Sequence, residues 1–153
     1  MEDTETLTVM FLDIVSYTKT TSQLSREEVN RLHEVFEDMV LPIFDRYSGK
    51  VVKDTGDGFL VAFKSPTNAV LCGMELQDAL YEYNELNPKH PLKVRVADHT
   101  GEVIKRKNDI YGEAINIAAR IEDITPPNQI FFFKSGLQNN VAKLPINIAM
   151  LAE

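Results

Sequence analysis

The chain has 153 residues, enough for one domain with a real core, and its 44% hydrophobic and 25% charged content belongs to an ordinary folded protein, not a disordered one. A formal net charge of −7 argues against nucleic acid or an anionic membrane as the main partner, because both demand a basic face. Cys72 is the single cysteine, which excludes an intrachain disulfide, and no run reaches the roughly 18 consecutive apolar residues of a membrane span.

Met1 to Thr6 is polar and acidic, without the apolar run of a signal peptide, so a cytoplasmic domain is expected, even if the parent protein is membrane-anchored. Leu7 to Ile14 is a short apolar run with β-branched members, long enough for a buried strand. Ser25-Arg26-Glu27-Glu28 has the form of a capping box. A stripe from Val29 through Leu32, Phe36, Val40 and Phe44 to Tyr47 follows it at helical spacing. Pro42 is expected to kink this helix or end its regular part, and Gly49 to close it. Lys50 to Lys53 and Phe59 to Phe63 read as strands around the turn Asp54-Thr55-Gly56-Asp57-Gly58.

A second helix is predicted from Pro66 to just before Asn87-Pro88, with Ala69, Val70, Met74, Leu76, Leu80 and Tyr83 inward. In that pattern Cys72 is a buried, inert thiol. Pro91 to Ala97 and Glu102 to Ile104 read as two strands joined by a turn at His99-Thr100-Gly101. Ala114 to Ile124 reads as a helix, Gln129 to Phe133 as a strand and Ser135 to Val141 as a short helix, and the remaining tail is too brief to place. Without repeats or linkers, the order of elements implies a single domain of the α/β (α+β) class, helices packed on a largely antiparallel sheet.

Two carboxylates stand out. Asp13 follows the apolar residues Val9 to Leu12 at the end of the first strand, and Asp57 sits in a glycine-flanked hairpin turn. Each has an ordinary explanation alone: Asp57 as turn chemistry, Asp13 as a helix N-cap. Brought together by the fold, they would suit hard divalent cations such as Mg²⁺. Ile14-Val15-Ser16-Tyr17-Thr18 runs from strand into helix and offers backbone N–H groups to a phosphate, or is simply a connection. Asn116 and Arg120 are four apart, so a helix places them on one face, and Arg120 could equally form a salt bridge at the core's edge.

Four segments together resemble the class III adenylyl and guanylyl cyclases. Phe11-Leu12-Asp13-Ile14-Val15-Ser16-Tyr17-Thr18 is similar to the family's first signature, and Val51-Val52-Lys53-Asp54-Thr55-Gly56-Asp57-Gly58 to its second. His99-Thr100-Gly101-Glu102-Val103 resembles the third, and Asp109 through Arg120 the fourth, in order and spacing. The short gap between Gly101 and Asp109 resembles the class IIIc subgroup of adenylate cyclases.

The resemblance implies a ferredoxin-like, palm-type nucleotidyl cyclase fold and conversion of ATP to 3′,5′-cyclic AMP and pyrophosphate. By the same resemblance Asp13, Asp57 and the Ile14 carbonyl would hold two Mg²⁺ or Mn²⁺ ions per active site, and residues 14–18 would meet the phosphates. Lys53 and Asp109 would read the purine, Asn116 would orient the ribose, and Arg120 would stabilise the transition state. The cation-holding pair and the remaining groups would come from opposite subunits, so a homodimer would hold two composite sites. A lysine that only donates and an aspartate that only accepts suit adenine's ring nitrogen and exocyclic amine.

Three places depart from the family pattern. Asp98 replaces an apolar residue before His99, Glu102 stands where some members carry a phosphate-binding arginine, and no equivalent of a terminal-phosphate lysine is recognisable before Glu153. The chain therefore reads as a domain truncated at its C-terminus. A catalytically silent nucleotide-binding or dimerisation module and a guanylate cyclase stand as alternatives, and a regulatory domain elsewhere in the parent protein is compatible with all three.

Overall fold

The computed structural model describes residues 3–127, 130–133 and 148–151. In chain order the elements are β1 (Asp3–Ile14), α1 (Tyr17–Thr21), α2 (Arg26–Arg46), β2 (Lys50–Asp54), β3 (Gly58–Phe63), α3 (Pro66–Leu86), β4 (Val94–Arg106), β5 (Asp109–Tyr111), α4 (Glu113–Ile124), β6 (Ile130–Phe133) and β7 (Ile148–Leu151). The strands form one sheet in the order β2-β3-β1-β4-β6-β7, with β5 paired to β4 off that path. Pairings of β1 with β3 and β4, β2 with β3, and β4 with β5 are antiparallel. The β4–β6 and β6–β7 pairings are parallel. The expected mixed fold, antiparallel in the main with flanking helices, is what the chain adopts.

From Leu7 onward β1 is largely apolar because helices cover both sides of it there. Met10, Leu12 and Ile14 face α2 and α3, joining Phe36, Phe44, Phe63, Leu76, Leu80, Val94 and Val96 in the larger core. Leu7, Val9 and Phe11, pointing the other way, join Leu60, Ala62, Val103 and the α4 residues Ala114 and Ala118. By the same alternation Asp13 belongs to the α4 side of the sheet.

The capping box at Ser25 forms as the sequence implies: Glu28 N donates to Ser25 Oγ at 3.1 Å and Ser25 N donates to Glu28 Oε1 at 3.0 Å. At the other end of α2 lie the two residues marked in the sequence, Pro42 and Gly49. The helix runs through Pro42 as far as Arg46. Its stop is a Schellman turn in which Ser48, not a glycine, takes the left-handed conformation at φ 60°. Ser48 N donates to Asp45 O at 3.1 Å and Gly49 N to Phe44 O at 2.8 Å. Gly49 is needed for space: a Cβ there would stand 2.7 Å from the Phe63 ring.

The turn expected at His99-Thr100-Gly101 is absent. β4 runs unbroken from Val94 to Arg106 because β1 pairs with it throughout, Met10 opposite Asp98 and Leu7 opposite Gly101. Gly101 lets α4 lie close: a Cβ there would sit a tight 3.0 Å from that of Ala114. The reversal comes later, at Lys107 with φ 54°, and leads into the short strand β5. β7 lies in the unplaced tail, and the predicted helix Ser135 to Val141 lies outside the described residues. No helix among the described residues is long and apolar enough to cross a membrane.

Candidate active site

The two acidic residues converge. Antiparallel pairing of β1 with β3 sets Asp13 opposite Gly58, one residue beyond Asp57. Gly58 makes the approach feasible, since any Cβ there would lie 1.8 Å from the Leu12 carbonyl oxygen. Ile14 N then donates to the Asp57 carbonyl at 2.8 Å, tying the end of β1 to the hairpin turn. The turn itself is held by Gly56, left-handed at φ 94°, whose N–H donates to Asp54 Oδ1 at 2.7 Å. Thr55 Oγ1 donates to Asp57 Oδ1 at 3.3 Å. Asp13 is not an N-cap; α1 begins after Ser16, left-handed at φ 57°.

Asp13 is electrostatically uncomfortable. Burial pushes its carboxyl above the ordinary range, the nearby Asp57 adds to the rise, and a hydrogen bond with Glu122 and the charge of Arg95 oppose it. Its Oδ1 is buried and has no hydrogen-bond partner among the described residues. Glu122 is pushed up to about 8, first by burial and then by its hydrogen bond with Asp13. An orphaned carboxylate oxygen beside a second carboxylate is what a divalent cation would relieve, so these residues fit the pair of cations. Asp13, Asp57 and the Ile14 carbonyl would hold them. Among the described residues no three His, Cys, Asp or Glu side chains form a set able to hold a metal, so two carboxylates and a backbone oxygen are what this site offers.

In the loop after Asp13, two of the expected phosphate-facing amides are already engaged. Ile14 N bonds Asp57 O, and Val15 N donates to Lys93 O at 2.8 Å. Ser16, Tyr17 and Thr18, at the start of α1, keep amides without a carbonyl partner among the described residues. Tyr17 is pinned instead through its hydroxyl, 2.5 Å from His33 Nε2 on α2, with the two rings edge to face.

The predicted purine readers also meet. Lys53 Nζ donates to Asp109 Oδ2 at 2.9 Å, across the gap between β2 and β5. That bond and the N–H of Ile110, 2.8 Å from Asp109 Oδ1, hold the Asp109 carboxyl below its usual range. Asn116 and Arg120 are exposed on α4, opposite the buried Ala114, Ala118 and Ile121, and neither side chain is bonded among the described residues. The salt bridge at the edge of the core is therefore not what Arg120 makes. The cation felt by Asp13 is Arg95, not Arg120. One chain thus presents three separate groups: the acidic pair, the Lys53–Asp109 pair, and the exposed Asn116 and Arg120.

Arg95 and Glu122 escaped the sequence reading. Arg95 lies opposite Asp13 in the β1–β4 register, and Glu122 lies in the last turn of α4. One signal pointed to the latter: α4 ends in Glu122 and Asp123 with no basic residue, against the preference of a helix C-terminus for cations.

A family model for the adenylate and guanylate cyclase catalytic domain matches residues 1–139. The serine/threonine-protein kinase pkn2 of Myxococcus xanthus is 36% identical over 129 residues, which are 84% of this chain and 16% of that protein. A putative adenylate cyclase 3 of Rhizobium meliloti is 30% identical over 123 residues, 80% of this chain and 21% of that one. The chain therefore spans under a quarter of the length of either relative. Among solved structures, the guanylyl cyclase Cya2 superposes with a TM-score of 0.85 at 28% identity, over 95% of this chain and 83% of that one. The adenylyl cyclase CyaB from P. aeruginosa, at 21% identity, shares the fold with a TM-score of 0.78, over 92% and 84% of the two chains. The chain belongs to the adenylate and guanylate cyclase catalytic domain family.

Proposed function

We propose that this domain is an adenylate cyclase, a phosphorus–oxygen lyase that converts ATP to 3′,5′-cyclic AMP and pyrophosphate at two composite sites of a homodimer. One juxtaposition carries the proposal: Asp13 and Asp57 lie side by side at the β1–β3 junction, with Asp13 Oδ1 buried and unpartnered among the described residues. Asp13 and Asp57 of one copy hold the cations, and the Ser16 to Thr18 amides meet phosphate oxygens. Lys53, Asp109, Asn116 and Arg120 come from the other copy. When bound, two Mg²⁺ or Mn²⁺ ions would acidify the ribose 3′-hydroxyl and neutralise the triphosphate. Asn116 fixes the ribose so that its 3′-oxygen faces the α-phosphorus. Arg120, exposed and unpaired among the described residues of its own chain, is available to meet the charge growing on the phosphoryl and leaving oxygens.

Base choice follows from hydrogen-bond polarity. Adenine has an acceptor at ring N1 and a donor at its exocyclic amine, so Lys53 Nζ donates to the first and Asp109 accepts from the second. Their 2.9 Å separation already sets a donor and an acceptor side by side. Guanine reverses the pattern, with an acceptor outside the ring and a donor in it, and would require the two side chains to exchange places. The guanylyl cyclase Cya2 among the structural relatives keeps that second reading in contention. A regulatory domain elsewhere in the parent protein is part of the proposal, supported by the matched kinase of which this segment is 16%. The nucleotide substrate favours a cytoplasmic location.

Competition between ATP and GTP in one assay is the test. The expected result is a kcat/KM preference for ATP of at least about 100-fold, since a mismatched base leaves buried polar groups unpaired. Preference for GTP would establish the guanylate reading, and cyclisation of neither would establish a silent module.

A further inference from the structure

We infer that the cavity at the end of the sheet remote from Asp13 is a second ligand site, one that takes a small organic anion with an apolar body, on the scale of a short aryl carboxylate. The inference stands apart from the cyclase reading, because Asp13, Asp57, Lys53, Asn116 and Arg120 do not line this cavity.

The curl of the sheet makes the space. β2 lies beyond β3 on one side of β1, and β5 beyond β4 on the other, yet Lys53 Nζ reaches Asp109 Oδ2 at 2.9 Å. The strands between them therefore curve into a trough. Beside the Lys53–Asp109 bond the trough encloses a cavity of about 420 Å³, within the roughly 300–1000 Å³ typical of small-molecule sites. Leu7, on its floor, precedes Asp13 by six residues of extended strand, or about 20 Å. The cavity and the acidic pair are separate places.

The lining divides by chemistry. Leu7, Val52, Ala62 and Ile110, all members of the smaller core, make an apolar floor. Lys50, Lys64, Lys105 and Lys107 stand around it, all of them exposed. Two carboxylates also line the cavity, and each is already matched: Glu5 accepts from Lys105 Nζ at 3.0 Å, and Asp109 accepts from Lys53 Nζ. Lys50, Lys64 and Lys107 form no ion pair among the described residues. Three uncompensated cations thus surround one apolar hollow in a chain whose net charge is −7. At Lys107 the backbone is left-handed, φ 54°, where glycine would make the same reversal with less strain. A bare inorganic anion would leave the floor unfilled, and a neutral ligand would leave the lysines unanswered. An apolar body with one anionic end satisfies both.

The test is amide chemical-shift mapping on the isotope-labelled intact chain without nucleotide. One titration uses phenylbutyrate and the other phenylbutanol, the same body without the charge. Phenylbutyrate is expected to give saturable shifts at Leu7, Val52, Ala62 and Ile110, with a Kd at least about fivefold below that of phenylbutanol. In the combined variant Lys50→Gln, Lys64→Gln and Lys107→Gly, changed only at exposed positions, that preference should vanish. Ala62→Leu, which fills the floor, should abolish the shifts from both compounds. Where circular dichroism shows that Ala62→Leu has lost its fold, the lysine variant decides alone. Absence of saturable floor shifts at about 10 mM phenylbutyrate would overturn the inference. Equal affinity for the two compounds, an undiminished preference in the lysine variant, or shifts confined to the surroundings of Asn116 and Arg120 would overturn it as well.

Discussion

Asp57→Ala is expected to lower cyclic nucleotide production at least about 1000-fold at saturating Mn²⁺, with the fold preserved. The backbone of residue 57 does the structural work, since its carbonyl accepts from Ile14 N at 2.8 Å. The side chain accepts only a 3.3 Å bond from Thr55 Oγ1 among the described residues, and its charge raises the Asp13 carboxyl. Removing that charge relieves a like-charge repulsion, so the metal-free variant should melt no lower than wild type. Asp13→Ala should be as inactive but less neutral for stability, because Glu122 loses its partner. Activity within tenfold of wild type in a folded Asp57→Ala protein would exclude the two-metal assignment.

Asp98→Val is expected to stabilise the protein by at least about 2 kcal/mol near neutral pH, the scale of burying a polar group without a hydrogen bond. Asp98 is 1% exposed, and both its carboxylate oxygens lack a hydrogen-bond partner among the described residues. It shares the α3 side of β4 with Val94 and Val96, beside Cys72, whose thiol is pushed up to about 12 by burial and by Asp98. Burial holds the Asp98 carboxyl well above the ordinary carboxylate range. The folded state therefore keeps a proton that the unfolded chain gives up near pH 4, at about 1.4 kcal/mol per pH unit. Stability is fully present below that value and is lost as pH rises towards the folded pKa. Denaturant unfolding between about pH 5 and pH 8 should show wild-type stability falling with pH. In Asp98→Val the fall should be shallower, with the remaining slope coming from Asp13 and Glu122. An unchanged slope, or a loss of stability near neutral pH, would mean that Asp98 is satisfied in the folded state.

Elements built on local patterns were legible in the sequence. Ser25 and Glu28 announce the start of α2 by reciprocal bonds within four residues, and the Asp54 to Gly58 turn sits between two short β-prone segments that pair. The misreadings share one cause, which is tertiary context. His99-Thr100-Gly101 has turn-like composition, yet its backbone groups pair with β1 and its glycine makes room for Ala114. Gly49 was expected to close the helix and its N–H does bond Phe44 O, but Ser48 takes the left-handed conformation and the lack of a side chain at Gly49 clears the Phe63 ring. Of the two outcomes expected at Pro42, a kink or an end, the helix does not end there but continues to Arg46. At the candidate site, Asp13 and Asp57 could be named from the sequence, but their proximity comes from the β1–β3 register. Arg95 faces Asp13 only through the β1–β4 register, and Glu122 nears it only through the packing of α4, neither of which any local spacing encodes.

Mixing two inactive variants tests the proposed division of labour between copies. Asp57→Ala breaks the acidic pair but keeps Arg120, and Arg120→Ala does the reverse. In an equal mixture of exchanging chains, half the dimers would be mixed and each would hold one intact site, so activity should return to about a quarter of the wild-type level. Should the mixture stay as inactive as its parts while sedimentation shows that the chains have exchanged, Asp57 and Arg120 do not serve one site from opposite copies.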